Sequence, residues 1–218
     1  MTVNTLEPRL DQAAGGERAG ERPDALPVFM PGDVILFAGR GDLYSRVSRW
    51  IMRSPDEGPT YAVHTAQFID AGRYIEIDMV GKVRATRDIL KKRLARDLWT
   101  RRGFEVWRLE SLTPDERDAV TRQALTYVGA KFGMGKFFTH LLDGLINKLT
   151  PGEVFFFRRL NHDTRYPICS WITAFSYDRA LRYRFGVPPE CADPDQIADW
   201  VNGRPQEWAR VYRLDSYT

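Results

Sequence analysis

The chain has 218 residues, of which 43% are hydrophobic and 28% are charged, and this composition excludes collagen-like and wholly disordered proteins. Its 32 basic and 29 acidic residues give a net charge of +3, which is too small to indicate a nucleic-acid-binding protein. Two cysteines in a chain of this length exclude a disulfide framework, and the N-terminus contains no apolar secretory core. We therefore expect a soluble, cytoplasmic protein.

Residues 1–24 contain no aromatic residue and carry charges of both signs. Such a segment cannot bury enough apolar area to offset the entropy lost on ordering. We interpret it as a flexible tail, followed by a single domain over residues 25–218.

Short apolar runs bounded by turn residues mark the first half of this domain. In chain order the sequence predicts a turn at 31–33, a buried strand over 34–37, a helix over 42–52, paired strands over 61–69 and 74–80, and a strand over 104–109. On the helix over 42–52, Trp50 falls on the apolar face.

Two further helices have clear start signals. Thr113 and Glu116 form a capping box with proline between them, which predicts a helix to about residue 128. A helix from Cys169 to about residue 185 is predicted to end at Gly186 and a following proline. Together these elements predict an α+β fold, in which a small, mostly antiparallel sheet is packed with helices.

The turn between the two paired strands decides their register. A three-residue loop over 70–72, with Gly72 in the left-handed conformation, places Ile69 opposite Arg73. A two-residue loop shifts the pairing by one residue. The position of the glycine favours the three-residue loop.

This register decides which acids lie near His64, the histidine in the middle of the first strand of the pair. The three-residue loop places both Glu76 and Asp78 on the face of His64, whereas the shorter loop sends Glu76 to the other face. An acid beside an imidazole can fix its tautomer and stabilise its charged form. Two solvated acids on an exposed face are the simpler alternative.

Cys169 is the candidate nucleophile, because Pro167 disfavours helix just before it and a helix is predicted to begin at the cysteine. Free backbone N–H groups at a helix start favour a thiolate, lower its pKa and can hold an oxyanion. The alternative is that Cys169 is a small buried apolar residue. Cys191 lies in a proline-rich loop with no base nearby, and we interpret it as a packing cysteine.

The other two histidines fit ordinary roles, His140 as a packed helical residue and His162 as an exposed loop residue. The sequence has neither an HExxH motif nor a CxxC motif, so we expect no metal site and no cofactor.

The candidate residues stand in the order of a known family: a histidine on a strand, an acid on the next strand, and a late cysteine that opens a helix. This order resembles the circularly permuted papain-like fold, and within it the NlpC-like branch that contains the YiiX/YaeF-like proteins and, more distantly, lecithin:retinol acyltransferase. The pieces that carry the resemblance span roughly residues 30–185 and are 32–37, 45–51, 53–55, 63–64, 74–77, 112–116, 124–132 and 169–170.

The resemblance implies roles for three residues: Cys169 as nucleophile, His64 as general base and Glu76 as the orienting third member, with Asp78 as the alternative to Glu76. It implies a thiol hydrolase of the cysteine peptidase or amidase type, which cleaves an amide bond in a peptide or acyl-amide through an acyl-enzyme. A lipid-directed acyltransferase or acylhydrolase with the same residues, and a non-catalytic binding module, remain as alternatives.

The chain departs from the family pattern in three places. Thr65 follows the histidine where a glycine or another small residue is common, and Trp171 stands two residues after the cysteine where an acid is frequent. Residues 133–166 are longer than a minimal linker, and we interpret them as a family-variable insertion.

Two segments have compositions that indicate possible partners. Residues 82–102 carry nine lysines and arginines against two aspartates, which is typical of a solvated face and could also attract anionic lipid headgroups, acidic peptides or nucleic acid. Residues 132–157 are rich in phenylalanine and leucine, for which burial in the core is the simpler explanation. An acyl-chain groove or a membrane-contacting edge is the alternative.

Overall fold

The computed structural model describes residues 27–39, 46, 49–50, 61–77, 81–87, 103–150, 155–160 and 165–214. The predicted tail over 1–24, Asp78, His162 and most of the helix predicted over 42–52 lie outside these residues. Arg46, Arg49 and Trp50 are helical, and Trp50, expected on the buried face, is 56% exposed.

Six strands of the described chain form one antiparallel sheet in the order β4-β3-β2-β1-β5-β6. They are β1 (Val34–Ala38), β2 (Ala62–Phe68), β3 (Arg73–Glu76), β4 (Arg84–Arg87), β5 (Phe104–Leu109) and β6 (Trp208–Leu214). The described ranges also contain five named helices: α1 (Pro114–Leu125), α2 (Met134–Asn147), α3 (Phe156–Leu160), α4 (Cys169–Leu181) and α5 (Pro194–Asn202). The predicted α+β fold with an antiparallel sheet is therefore confirmed.

Strand β1 lies at the centre of the sheet and is buried on both faces, which explains its continuous apolar sequence. Val34 and Leu36 point into a core that also contains Tyr177 of α4. Ile35 and Phe37 point into a second core on the other face. The helices α1, α4 and α5 contribute to the cores on the Val34 and Leu36 side.

Local signals in the sequence explain how α1 begins. The Thr113 hydroxyl accepts a hydrogen bond from the Glu116 N–H at 3.3 Å, and the Glu116 carboxylate accepts one from the Thr113 N–H at 2.9 Å. The predicted capping box is therefore present, and it satisfies backbone donors that the first helical turn leaves free.

The hairpin between β2 and β3 has the predicted register. Gln67 lies opposite Ile75, and the Ile69 N–H donates to the Arg73 carbonyl at 2.9 Å. The prediction that Gly72 is left-handed is wrong, because the positive-φ glycines of the described chain are at other positions. The Asp70 carboxylate instead closes the turn by accepting hydrogen bonds from the N–H groups of Gly72 and Arg73.

Helix α4 begins at Cys169 as predicted but ends earlier than expected, at Leu181. Arg182 adopts the left-handed conformation, with φ of 57°, and donates its N–H to the Asp178 carbonyl. An arginine therefore takes the capping position that sequence patterns assign to glycine. Among the described residues, no helix combines the length and apolar content that a bilayer crossing needs.

Candidate active site

Cys169 is the first residue of α4, and the chain before it is held in an extended conformation. Ile168 is the N-cap residue and contributes no side-chain hydrogen bond to the helix start. The Pro167 carbonyl accepts a hydrogen bond from the Gly133 N–H at 3.0 Å, which ties this segment to the start of α2. The cysteine is thus fixed at an uncapped helix start, and its side chain is partly buried.

Three backbone N–H groups act on the Cys169 sulfur, those of Thr65, Ser170 and Cys169 itself. Thr65 belongs to β2, so the thiol is brought against a strand residue that directly follows His64. This cluster of donors is the kind of arrangement that can hold developing negative charge.

The thiol is nevertheless harder to ionise than the sequence predicted. Burial raises the pKa of Cys169 above its usual value, and the Asp193 carboxylate adds to the rise, while the three backbone N–H groups act against it. The expected lowered pKa is therefore wrong for this structure. The physical reason is that the side chain packs against the buried apolar cluster that contains Ile172, where a charged sulfur loses its hydration.

His64 lies on β2 opposite Phe37, and the two rings are 5.4 Å apart between centroids. Phe37 belongs to the core on the face away from α4. The structure therefore brings the Cys169 sulfur to the β2 backbone beside His64, and the ring contact of His64 is with Phe37. The register turns the His64 ring toward Phe37 and leaves Thr65, the next residue, on the face of α4.

Glu76 is the last residue of β3 and is partly buried. Its carboxylate accepts a hydrogen bond from the Tyr74 hydroxyl at 3.3 Å. In the pairing of β3 with β4, Glu76 lies opposite Arg84. Continuing the observed β2–β3 register places Glu76 on the same face of the sheet as His64.

Asp193 is a site residue that the sequence interpretation missed. It is the N-cap of α5, and its carboxylate accepts hydrogen bonds from the Asp195 and Gln196 N–H groups at 3.0 Å each. The same carboxylate receives the Arg158 guanidinium at 3.0 Å in a fully buried ion pair. The signal was available, since an aspartate, a proline and a glutamine three residues after the aspartate form a capping box.

Helix α2 contributes two buried polar side chains near the candidate site. The Lys136 ammonium lies 3.8 Å from the ring centroid of Trp171, which stands on α4 two residues after Cys169. Burial and the neighbouring cations Arg158 and Lys136 lower the pKa of His140 well below its usual value. His140 is therefore neutral at physiological pH.

Cys191, the second cysteine, is fully buried in a turn after Pro188. Burial raises its pKa to about 11, with a further rise from Glu190. Of the basic segment over 82–102, only residues 82–87 are described, and Lys82 and Arg84 are exposed at the edge of the sheet. Within the described ranges, no three histidine, cysteine, aspartate or glutamate side chains are grouped to hold a metal ion.

Comparisons with known proteins give one structural similarity. No family model matches the chain, and no curated protein is significantly similar to it in sequence. The chain is similar to the crystal structure of the metalloprotein YiiX from Escherichia coli O157:H7, with a TM-score of 0.47 and 16% identity over 81% of this chain and 82% of that one. A similarity of this size assigns no activity, and the functional argument rests on the residues.

Proposed function

We propose that this chain is a thiol hydrolase with a permuted papain-like fold that cleaves an amide bond through an acyl-enzyme on Cys169. His64 is the general base, which must turn its imidazole from Phe37 toward the sulfur for the reaction, and Glu76 orients the imidazole. The observation that carries the proposal is the setting of the Cys169 sulfur, which lies at a helix start among three backbone N–H groups, one of them from the residue after His64.

The reaction begins from a protonated thiol, because burial raises the pKa of Cys169. His64 removes the thiol proton as the sulfur attacks the substrate carbonyl carbon. The carbonyl oxygen becomes an oxyanion and is stabilised by N–H groups at the start of α4. The charged imidazole then protonates the leaving amine as the carbon–nitrogen bond breaks.

Water then hydrolyses the acyl-enzyme, and the same residues take part in this second half of the reaction. His64 takes a proton from water, the resulting hydroxide attacks the thioester carbonyl, and the Cys169 sulfur leaves and recovers its proton. Glu76 stabilises the charged imidazole in both halves of the reaction. Asp78, which lies outside the described residues, is the alternative for this role.

A raised thiol pKa makes the base essential to the proposed reaction. A thiol that is largely protonated at neutral pH needs proton removal during attack, although its thiolate is the stronger nucleophile once formed. General-base assistance contributes about 100- to 10,000-fold to such steps. A large loss on removal of His64 is therefore expected.

A lipid-directed acyltransferase or acylhydrolase is the second candidate, and one observation favours it. Helices α2 and α3 expose several large apolar side chains, including Phe138 and Phe156 at 57% and 59%. An exposed apolar surface of this kind can bind at a lipid interface. Both candidate functions use the same catalytic residues. The two functions are therefore distinguished by the length of the acyl chain in the preferred substrate.

The test is the release of the leaving group from activated acyl amides and esters of increasing chain length, followed in the full chain and in three variants. We expect Cys169→Ala to abolish turnover, His64→Gln to lower it by about 100-fold or more, and Cys191→Ala to leave it unchanged. Turnover that survives in Cys169→Ala overturns the proposal. A rate that rises steeply with chain length selects the lipid-directed enzyme.

A further inference from the structure

Helix α2 has its polar side turned toward the protein and its apolar side turned toward solvent. Its buried residues are Lys136, His140, Asp143, Gly144 and Asn147. Its exposed large residues, together with the turn that follows, are Met134, Phe138, Leu142, Leu145 and Leu149, with exposures between 42% and 80%. This is the reverse of an ordinary surface helix, in which the apolar stripe faces the core.

Specific polar contacts hold α2 in this orientation. The Asp143 carboxylate accepts hydrogen bonds from the Phe157 and Arg158 N–H groups at 2.9 and 2.8 Å. Arg158 in turn joins the buried Asp193 carboxylate and the Cys191 carbonyl. Because these groups are fully buried, rotating the helix to hide its apolar side would leave charges without partners. The outward apolar side is therefore a fixed feature of the fold.

The exposed apolar side continues onto α3, which packs against α2 and exposes Phe156 at 59% and Leu160 at 66%. We call Met134, Phe138, Leu142, Leu145, Leu149, Phe156 and Leu160 together the α2–α3 apolar face. Of the thirteen exposed large hydrophobic side chains in the described ranges, eight fall between residues 134 and 166. A concentration of this kind marks a surface that another apolar phase covers.

The exposed charged residues that the structure describes in and beside these two helices are all cations. Among the described residues between 131 and 168, Asp143 is the single carboxylate, and it is fully buried. Lys131 and Arg165 lie near the start of α2, Lys148 caps its end, and Arg159 is exposed on α3. Cations beside exposed apolar side chains complement an anionic lipid surface, where the headgroups carry negative charge above the acyl chains.

We propose that the α2–α3 apolar face binds to the surface of an anionic lipid bilayer, with its leucines and phenylalanines inserted among the acyl chains. Lys131, Lys148, Arg159 and Arg165 lie at the level of the headgroups. The protein would rest on one leaflet and would not cross the bilayer. The proposal does not depend on Cys169 being a nucleophile, since none of its residues takes part in the proposed reaction.

The test is co-sedimentation of the full chain with vesicles of phosphatidylcholine alone and of phosphatidylcholine mixed with phosphatidylglycerol. We expect binding to the mixed vesicles, weaker binding to phosphatidylcholine, and release as the salt concentration rises. Leu142→Asn should lower the partition coefficient by about tenfold, because a large apolar side chain leaves water on insertion. The matched control is Leu125→Asn on α1, since Leu125 and Leu142 are 42% and 46% exposed.

A second pair of variants tests the charges. Arg165→Gln should weaken binding to the mixed vesicles by about fivefold, the factor that corresponds to roughly 1 kcal/mol per basic side chain near an anionic surface. Arg122→Gln, which removes an exposed cation from α1, should have no effect. Thermal unfolding of each variant establishes that it is folded.

Three results overturn the proposal. The first is a full chain that does not sediment with anionic vesicles. The second is equal loss of binding in Leu142→Asn and Leu125→Asn, which would mean that the site of insertion is elsewhere. The third is a full chain that does not bind vesicles and that forms a dimer in analytical ultracentrifugation, which Leu142→Asn converts to a monomer. The face would then be covered by a second copy of the chain.

Discussion

The backbone N–H of Thr65 acts on the thiol sulfur of Cys169. This contact joins a strand and a helix that are more than one hundred residues apart in the sequence, and it sets the candidate nucleophile beside the strand residue His64. The sulfur receives further N–H groups from its own helix start. Burial and the Asp193 carboxylate oppose its ionisation, so the thiol pKa is raised above its usual value.

The first prediction concerns the ionisation of the two thiols. Burial raises the pKa of both cysteines, that of Cys191 to about 11. We expect iodoacetamide labelling of Cys169, resolved by peptide mass spectrometry, to rise with a midpoint above the free value of about 8.5. Cys191 should label more slowly, since it is also fully buried.

The same shifts have a consequence for stability. A thiol whose pKa is raised by folding stabilises the fold at pH values below its unfolded pKa, and this contribution is lost as the pH rises toward the folded value. Stability should therefore fall from about pH 8.5 upward. As a control, both thiols of the unfolded chain in denaturant should label with the midpoint pH of a free thiol. A midpoint pH for Cys169 in the folded chain that is lower than that of a free thiol contradicts the account.

The second prediction concerns the buried ion pair that fixes α2. Asp143→Ala removes the carboxylate that accepts from two N–H groups and faces Arg158, and it leaves a buried guanidinium short of a partner. Breaking such a pair costs about 3–5 kcal/mol of unfolding free energy. Urea unfolding measures the loss, and Asp118→Ala, which removes an exposed acid from α1, should leave stability unchanged. Equal effects in the two variants would mean that the pair does not hold the helix.

The third prediction concerns Gly133, the N-cap of α2. A Cβ atom at this position would collide with the Tyr166 carbonyl oxygen, and the segment from Tyr166 leads directly into Cys169. Gly133→Ala should therefore lower both the melting temperature and the rate of Cys169 acylation. At Gly72 a Cβ atom would meet nothing within 4 Å, so Gly72→Ala is the matched control and should change neither quantity.

The fourth prediction concerns the Tyr177 hydroxyl, which donates to the Gly32 carbonyl at 2.6 Å and anchors α4 to the turn before β1. Tyr177→Phe leaves this carbonyl without its partner and should cost about 1–3 kcal/mol. Burial raises the pKa of Tyr177 well above its usual value, and Asp33 adds to the rise, so the hydroxyl stabilises the fold below about pH 10 and less above it. The difference between wild type and Tyr177→Phe should therefore shrink at alkaline pH. Tyr166→Phe, at an exposed tyrosine, is the control and should leave stability unchanged.

Local chemistry decided which parts of the fold the sequence could predict. Strand β5 and the start of α1 follow directly from an apolar run and a capping box. The end of α4 could not be predicted, because Arg182 takes a left-handed position that its sequence does not favour. The register of the β2–β3 hairpin was predicted correctly, but for the wrong reason. The turn is closed by the Asp70 carboxylate, and not by a left-handed Gly72.

The sequence predicted the place of Cys169 in the fold and did not predict the ionisation of its thiol. A cysteine after Pro167 indicates a helix start, and that position was correct. The sequence could not reveal that burial and Asp193 raise the thiol pKa, because both depend on packing between distant segments. The same limit applies to residues 132–157, for which burial was the simpler expectation. This was wrong for Phe138 and Leu142, because the polar stripe of α2 takes the inward position, and it was also wrong for Phe156 on α3.

The most direct test of the central claim is to map the covalent intermediate. The full chain is mixed with an activated acyl ester, quenched in acid, and digested for peptide mass spectrometry. The account predicts an acyl group on Cys169 that forms in the wild type and in Cys191→Ala, forms at least about 100-fold more slowly in His64→Gln, and is absent in Cys169→Ala. An adduct that forms at Cys169 at the same rate without His64, or that is found at Cys191 instead, would contradict it.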